Sequence, residues 1–341
     1  MGGRQIMKTI VCVGGNKTIC AARLGVNLAE VLQLLGQKTL VLAPKGKGNI
    51  YADVPLKEYT AFTTTKSLAT LFKKEKADTV ISVMNWRACE AALQAGLPLV
   101  YVEYENFKED KAIKNKKALL QRARRVVVLG NGDNPLNSKV YPSNTVRVKT
   151  PAVWVEHYNY NKPACFKKEN NILAVGNLTK ENGFDTLLKT WARLAPAHAT
   201  WHLTIVGDGT QKTTLKRFIS KNHLEDSTEI IPAASDVYSL MRNADIFAYP
   251  AVKPAQAEVL LDAMASKLPC VACESAPVTE LILNGVNGVV VNAGEEEPFT
   301  VALDDMMVNW GKRVGLAVEA SKLKDRYPFE VFVEAVTDGL K

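Results

Sequence analysis

A glycine pair stands where the first apolar run ends: residues 9–13 are followed by Gly14-Gly15-Asn16-Lys17-Thr18 and then by a helix-like stretch. Glycines let a backbone come close to a phosphate or a sugar, and Lys17 adds a cation; the segment suits an anion and equally suits a plain strand-to-helix turn. It is neither a Walker A loop nor a complete G-x-G-x-x-G, which disfavours an ATPase or a dehydrogenase. A second charged segment spans 108–125, where Lys108, Lys111, Lys114, Lys116, Lys117, Arg122, Arg124 and Arg125 face two acidic residues, with Ile113, Leu119 and Leu120 between them. It reads either as a solvated helical face or as a patch, through Lys111, Lys114, Lys117 and Arg122, for anionic lipid or a phosphorylated acceptor. No aromatic platform accompanies the charge, so nucleic acid is not an expected partner. The histidines (His157, His198, His202, His223) form no spaced cluster with cysteines or carboxylates, and Asp304-Asp305 falls in a late helix; no metal and no cofactor are expected.

These groups need a scaffold. A chain of 341 residues suggests two domains, each able to bury its own core. Apolar runs at 8–13, 39–43, 79–83, 99–103 and 126–129, with helical spacing at 24–35 and 67–74, predict parallel βαβ units. The pattern lapses over 152–169, the expected connection. A second series follows: strands at 172–175, 201–206, 229–231, 246–249 and 270–272, helices at 183–194, 212–221 and 259–266, then final helices over 301–340. The fold class expected is α/β, with two doubly wound domains over 1–151 and 170–325 whose strand C-termini form the ligand edges. Six scattered cysteines read as reduced, and the C-x-x-C of Cys270 and Cys273 as part of a buried strand rather than a zinc site. The formal charge of +8 favours phosphate-bearing ligands or an anionic membrane surface. No apolar run reaches spanning length, and the N-terminus reads as neither a signal peptide nor a complete myristoylation motif; the expected location is cytoplasmic, peripheral on the inner face of the membrane.

The informative series lies in the second half. Residues 172–185 (Ile172-Leu173-Ala174-Val175-Gly176-Asn177-Leu178-Thr179-Lys180-Glu181-Asn182-Gly183-Phe184-Asp185) make a strand, a loop and a helix start. Then come Val206-Gly207-Asp208-Gly209, Tyr249-Pro250, Asp262-Ala263-Met264-Ala265, and Glu280 with Gly285 and Gly288. In this order and spacing, residues 171–288 resemble the C-terminal domain of retaining family-4 glycosyltransferases (glycosyl transferases group 1), where the series reads G-R-x4-K-G, V-G-x-G, E-x7-E-A-M-A and E-x4-G-x-x-G. Arg326-Tyr327-Pro328-Phe329 is similar to that family's C-terminal segment. The resemblance implies a GT-B fold, two Rossmann-like domains facing each other across a cleft, with the last helix (326–341) packing back on the N-terminal domain. It implies donor-binding residues Gly176, Asn177, Asn182, Gly207, Gly209, Pro250, Glu258 and Asp262, with Gly14 and Gly15 from the N-terminal half. Backbone N–H groups at 207–209 and 275–278 would meet base and phosphate, and Asp262, the second carboxylate of E-x7-E, would hold the ribose; the alternative for Asp262 is a solvated helix-end carboxylate.

Three positions depart from the pattern. Asn177 and Asn182 replace the two cations that neutralise the leaving diphosphate, and Pro254 replaces the first carboxylate. Lys180 and Lys253 are the expected substitutes for charge, and Glu258 for the carboxylate. The family's N-terminal histidine is missing, leaving Glu103 or Glu105 in its place; Glu103 and Lys180 are the expected catalytic pair. The resemblance therefore implies metal-independent transfer, with retention, from a UDP- or GDP-linked sugar to a hydroxyl of a glycan or glycolipid in bacterial surface polysaccharide or lipopolysaccharide assembly. The rival is a catalytically degenerate GT-B protein serving as a binding or chaperone partner of an active transferase; a sugar-nucleotide epimerase is weaker, since its carboxylate and His are not seen.

Overall fold

The computed structural model describes residues 7–14, 19–44, 54–60, 63–104, 112–130, 141–152, 170–232, 237–253 and 257–340, and structural statements below concern these. They fall into two units, Met1–Pro151 with Pro328–Lys341, and Ala152–Tyr327.

In the first unit, runs of Val, Ile and Leu form inner strands buried on both faces, as parallel sheets demand, while the two edge strands are only partly buried. The elements are β1 (Lys8–Val13), α1 (Ile19–Leu34), β2 (Lys38–Pro44), β3 (Leu56–Tyr59), α2 (Thr65–Lys74), β4 (Thr79–Val83), α3 (Trp86–Gln94), β5 (Leu99–Tyr104), α4 (Ala112–Leu120), β6 (Arg125–Leu129) and β7 (Thr145–Val148). All pairings are parallel, in the order β3-β2-β1-β4-β5-β6-β7. Polar caps start α2 and α3: Thr64 accepts the Ser67 N–H at 3.1 Å, and Asn85 accepts the Ala88 N–H at 3.1 Å. Chain order reverses between β1 and β4, which opens a crevice at their C-terminal ends.

The second unit repeats the plan with β8 (Asn171–Val175), α5 (Phe184–Leu194), β9 (His202–Val206), α6 (Lys212–Lys221), β10 (Thr228–Ile231), α7 (Val237–Asn243), β11 (Ile246–Tyr249), α8 (Glu258–Ala265), β12 (Cys270–Cys273), α9 (Ala276–Leu281), β13 (Val289–Val291), α10 (Glu296–Val308), α11 (Trp310–Ser321) and α12 (Leu323–Arg326). The sheet is parallel in the order β10-β9-β8-β11-β12-β13, so its switch point falls between β8 and β11. Separate apolar clusters cover its two faces, Trp191 lying fully buried in one and Met264 in the other. Cys270 belongs to one cluster and Cys273 to the other, so the C-x-x-C side chains point to opposite faces of β12, as residues three apart on a strand must. The Ala152 N–H donates to the Tyr327 carbonyl at 2.9 Å, closing the unit where the chain enters and leaves it. Beyond it, α13 (Phe329–Asp338) packs on β6 and β7 of the first unit, and Arg124 donates to the Leu340 carbonyl at 3.3 Å. No helix among the described residues is long and apolar enough to cross a membrane, and no group of three or more His, Cys, Asp or Glu gathers there.

Candidate functional site

Both switch points carry the residues singled out by sequence. In the second unit, β8 is followed by Gly176, whose N–H donates to Val206 O at 3.0 Å. The Leu178 N–H donates to Asp208 O at 2.9 Å, and the Gln211 N–H to Leu178 O at 2.9 Å, stitching the loops after β8 and β9 together by their backbones. That approach needs Gly207: a Cβ there would lie 2.1 Å from Gly176 O. Gly209 lies against the same Leu178 backbone. The Gly207 N–H is spent on Ile231 O at 3.0 Å, so this glycine shapes the rim rather than offering a donor.

The loop continues through a 3-10 turn (Lys180–Asn182) to Gly183, which takes φ +66° and seats on the end of β11; a Cβ would meet Pro250 O at 2.1 Å. Glu181 O accepts the N–H groups of Val252 and Lys253 at 3.0 and 3.3 Å. This bond brings Lys180 and Lys253, 73 residues apart in sequence, onto one rim. The Glu181 carboxyl is held below its ordinary range, first by its own backbone N–H, then by Thr179, with smaller help from Lys180 and Lys253. Asn182 turns inward: its amide donates to Asn177 O at 2.7 Å and Thr179 Oγ1 at 3.3 Å, so it holds the loop's shape, while Asn177 is exposed. Glu258 opens α8 and Asp262 stands one turn on, 5% and 1% exposed. Asp262 is therefore not a solvated helix-end carboxylate: both residues project from one face of a helix otherwise sunk in the core. The Val278 N–H is taken by Ser275 O at 3.0 Å, while the buried Ser275 hydroxyl has no hydrogen-bond partner. Pro254 lies outside the described residues.

In the first unit, the Gly14 N–H donates to Val83 O at 2.8 Å, binding the β1 end to β4. Next to it Met84 takes φ +53°, a strained value for a side chain with a Cβ, and such strain gathers at functional edges. Asn85 caps α3 and donates its amide to Val13 O at 3.2 Å and the Tyr59 hydroxyl at 2.8 Å. Glu103, near the C-terminal end of β5, accepts the Tyr101 hydroxyl at 2.7 Å. Burial pushes its carboxyl up to about 7, against the opposing pulls of Tyr101 and Lys116. Tyr101 is itself buried and tilts against Trp86, ring centroids 4.4 Å apart, and the Lys116 ammonium sits 4.4 Å over the Trp86 ring. Glu103 is thus a half-buried, oriented group, and Tyr101, Trp86 and Lys116 are partners that sequence reading missed. One signal was legible: Tyr101 and Glu103, two apart on a strand, share a face. The basic segment divides, for Lys116 turns to Trp86, Lys117 is half-buried and Arg122 exposed. Gly15, Lys17, Glu105, Lys111 and the side chain of Lys114 lie outside the described residues.

With this geometry in hand, comparison with known proteins is specific. Residues 159–322 match the family described as Glycosyl transferases group 1. The chain is 28% identical over 336 residues to an uncharacterized glycosyltransferase of Haemophilus influenzae, covering 92% of this chain and 93% of that one. It is 30% identical over 223 residues to the amylovoran biosynthesis glycosyltransferase AmsD of Erwinia amylovora, covering 64% of this chain and 62% of the relative. Its fold is similar to that of HepE of Anabaena, solved in complex with UDP and glucose: TM-score 0.68 at 17% identity, over 98% of this chain and 99% of that one.

Proposed function

We propose that this chain, whose residues 159–322 match the group 1 glycosyl transferases, moves a sugar with retention, without a metal, from a UDP- or GDP-linked donor to a hydroxyl of a glycan or glycolipid. The observation that carries this reading is the rim between β8 and β11, where Glu181 O ties down Val252 and Lys253 beside Lys180. A departing nucleoside diphosphate develops negative charge, and fixed cations at that point lower the barrier without reorganising. Lys180 and Lys253 take over the work of the two cations that Asn177 and Asn182 replace. Asp262 and Glu258 hold the donor's ribose and sugar hydroxyls. The glycosidic C–O bond to phosphate breaks as the acceptor oxygen bonds to the same face of the sugar carbon, and the acceptor proton passes to the leaving phosphate oxygen. Glu103, fixed by Tyr101, accepts a hydrogen bond from the acceptor hydroxyl and orients it.

UDP and glucose in HepE support a UDP-linked donor, and the role printed for AmsD supports a setting in surface polysaccharide or lipopolysaccharide assembly. The setting is cytoplasmic, with Lys117 and Arg122 of the basic segment contacting anionic lipid at the inner membrane face.

Thermal unfolding with a panel of nucleoside diphosphates tests the proposal, because a ligand bound only by the native state raises its stability. UDP or GDP is expected to raise the midpoint, less so in Lys180→Ala and Lys253→Ala, and the wild type to hydrolyse its donor slowly. Silence toward every nucleotide would favour a non-catalytic partner protein.

A further inference from the structure

The opposite edge of the first unit's sheet, where strands begin, carries a second concave feature. A depression of about 380 Å³ is lined by Lys8, Lys38 and Lys57 from the starts of β1, β2 and β3, with Gln37, Thr39 and Glu75. Glu75, at the C-cap of α2, grips two of the lysines: Oε2 lies 3.1 Å from Lys8 Nζ and Oε1 2.5 Å from Lys57 Nζ. Lys57 and then Lys8 hold its carboxyl below the usual range. One carboxylate thus fixes two otherwise flexible ammonium groups, which reduces the ordering a ligand must supply.

The charge does not cancel. Three lysines meet one glutamate, and the C-terminal ends of α1 and α2 add roughly half a negative charge each; about one positive charge is left over. The neutral groups also donate. Gln37 accepts the Thr9 hydroxyl through Oε1 at 2.8 Å, which leaves its amide N–H groups for another acceptor. Thr39 is 6% exposed, and its hydroxyl has no hydrogen-bond partner. A buried donor without an acceptor is a standing cost that a ligand oxygen would remove. Glu75 aside, the charged groups are all donors, and the volume lies in the range of small-molecule sites.

We propose that this depression binds a small phosphate-bearing anion, at a site separate from the donor and acceptor residues. Several convergent donors around a compact space match the many acceptor oxygens of a phosphoryl or diphosphoryl group.

Titration calorimetry of the full chain with inorganic pyrophosphate, read against the Lys180→Ala/Lys253→Ala chain in which the proposed diphosphate contacts are gone, tests it. One saturable site is expected. Lys38→Ala and Lys57→Ala should each weaken it by about tenfold or more. Thr39→Val should weaken it several-fold without lowering the thermal midpoint, since it removes an unpartnered hydroxyl at nearly constant volume. Lys180→Ala should leave it unchanged, which separates this site from the proposed diphosphate contacts. Absence of saturable binding, or affinity untouched in Lys38→Ala and Lys57→Ala, overturns the proposal. Displacement of pyrophosphate by anionic phospholipid vesicles would support the site with a headgroup as phosphate source; retention in their presence supports a soluble one.

Discussion

Glu103→Gln offers the sharpest test of the first unit's role. The carboxyl is raised from 4.5 to about 7, chiefly by burial. A displacement of that size means about 3 kcal/mol against the ionised form in the folded chain. The folded state therefore binds the proton more tightly than the unfolded state between pH 4.5 and about 7. Stability falls as pH rises through that window, by at most about 1.4 kcal/mol per unit from this group, and is flat on either side. Gln cannot ionise, and its amide oxygen can still accept the Tyr101 hydroxyl. Urea unfolding followed by circular dichroism from pH 4.5 to 8.5 should show the variant matching wild type in acid and exceeding it in base. Transfer rates supply the second readout. If the ionised carboxylate orients the acceptor, wild-type transfer rises through about pH 7 and the variant loses that rise while keeping its nucleotide affinity. A variant whose stability slopes with pH as wild type does, or whose rate profile is unchanged, would refute this account of Glu103.

Other outcomes follow from the same geometry. Gly183→Ala drives a Cβ toward Pro250 O at 2.1 Å and forces φ +66° on alanine, so the unfolding free energy from urea denaturation should fall by about 2 kcal/mol or more, with weaker UDP binding. The double variant Lys180→Ala/Lys253→Ala should lose about tenfold or more in UDP affinity by calorimetry, with an unchanged melting midpoint, since both lysines are exposed. Trp191→Ala empties a fully buried site in the second unit and ends the indole bond to Ser227 at 3.2 Å; a loss of about 3–5 kcal/mol is expected in chemical denaturation.

Much of the fold was legible because it rests on local pattern. Apolar runs such as 10–13, 126–129 and 172–175 lie on parallel strands covered on both faces, so they need no partner to be recognised. Gly176 and Gly207 follow strand ends and Gly183 stands where a turn gives way to α5, places where a turn residue is a local requirement, and the C-x-x-C lies on a short apolar run that reads as a buried strand. Motif spacing marks Asn182 only as a missing cation, because its inward bonds to Asn177 and Thr179 depend on a loop path that spacing does not specify. The burial of Asp262 depends on what α8 packs against.

By its own order of residues, the chain determined two parallel α/β units, their glycine-shaped strand ends and the motif series that resembles the group 1 glycosyl transferases, because strand period, turn chemistry and motif spacing act over a few residues at a time. Tertiary structure alone decided that Glu181 O holds the Lys253 backbone beside the Lys180 turn, that Trp86 and Lys116 close around Tyr101 and Glu103, and that Glu75 clamps Lys8 and Lys57. The physical reason is that charge, burial and hydrogen bonding act through space. Residues tens of positions apart become one electrostatic environment only when crossover connections set parallel strands side by side.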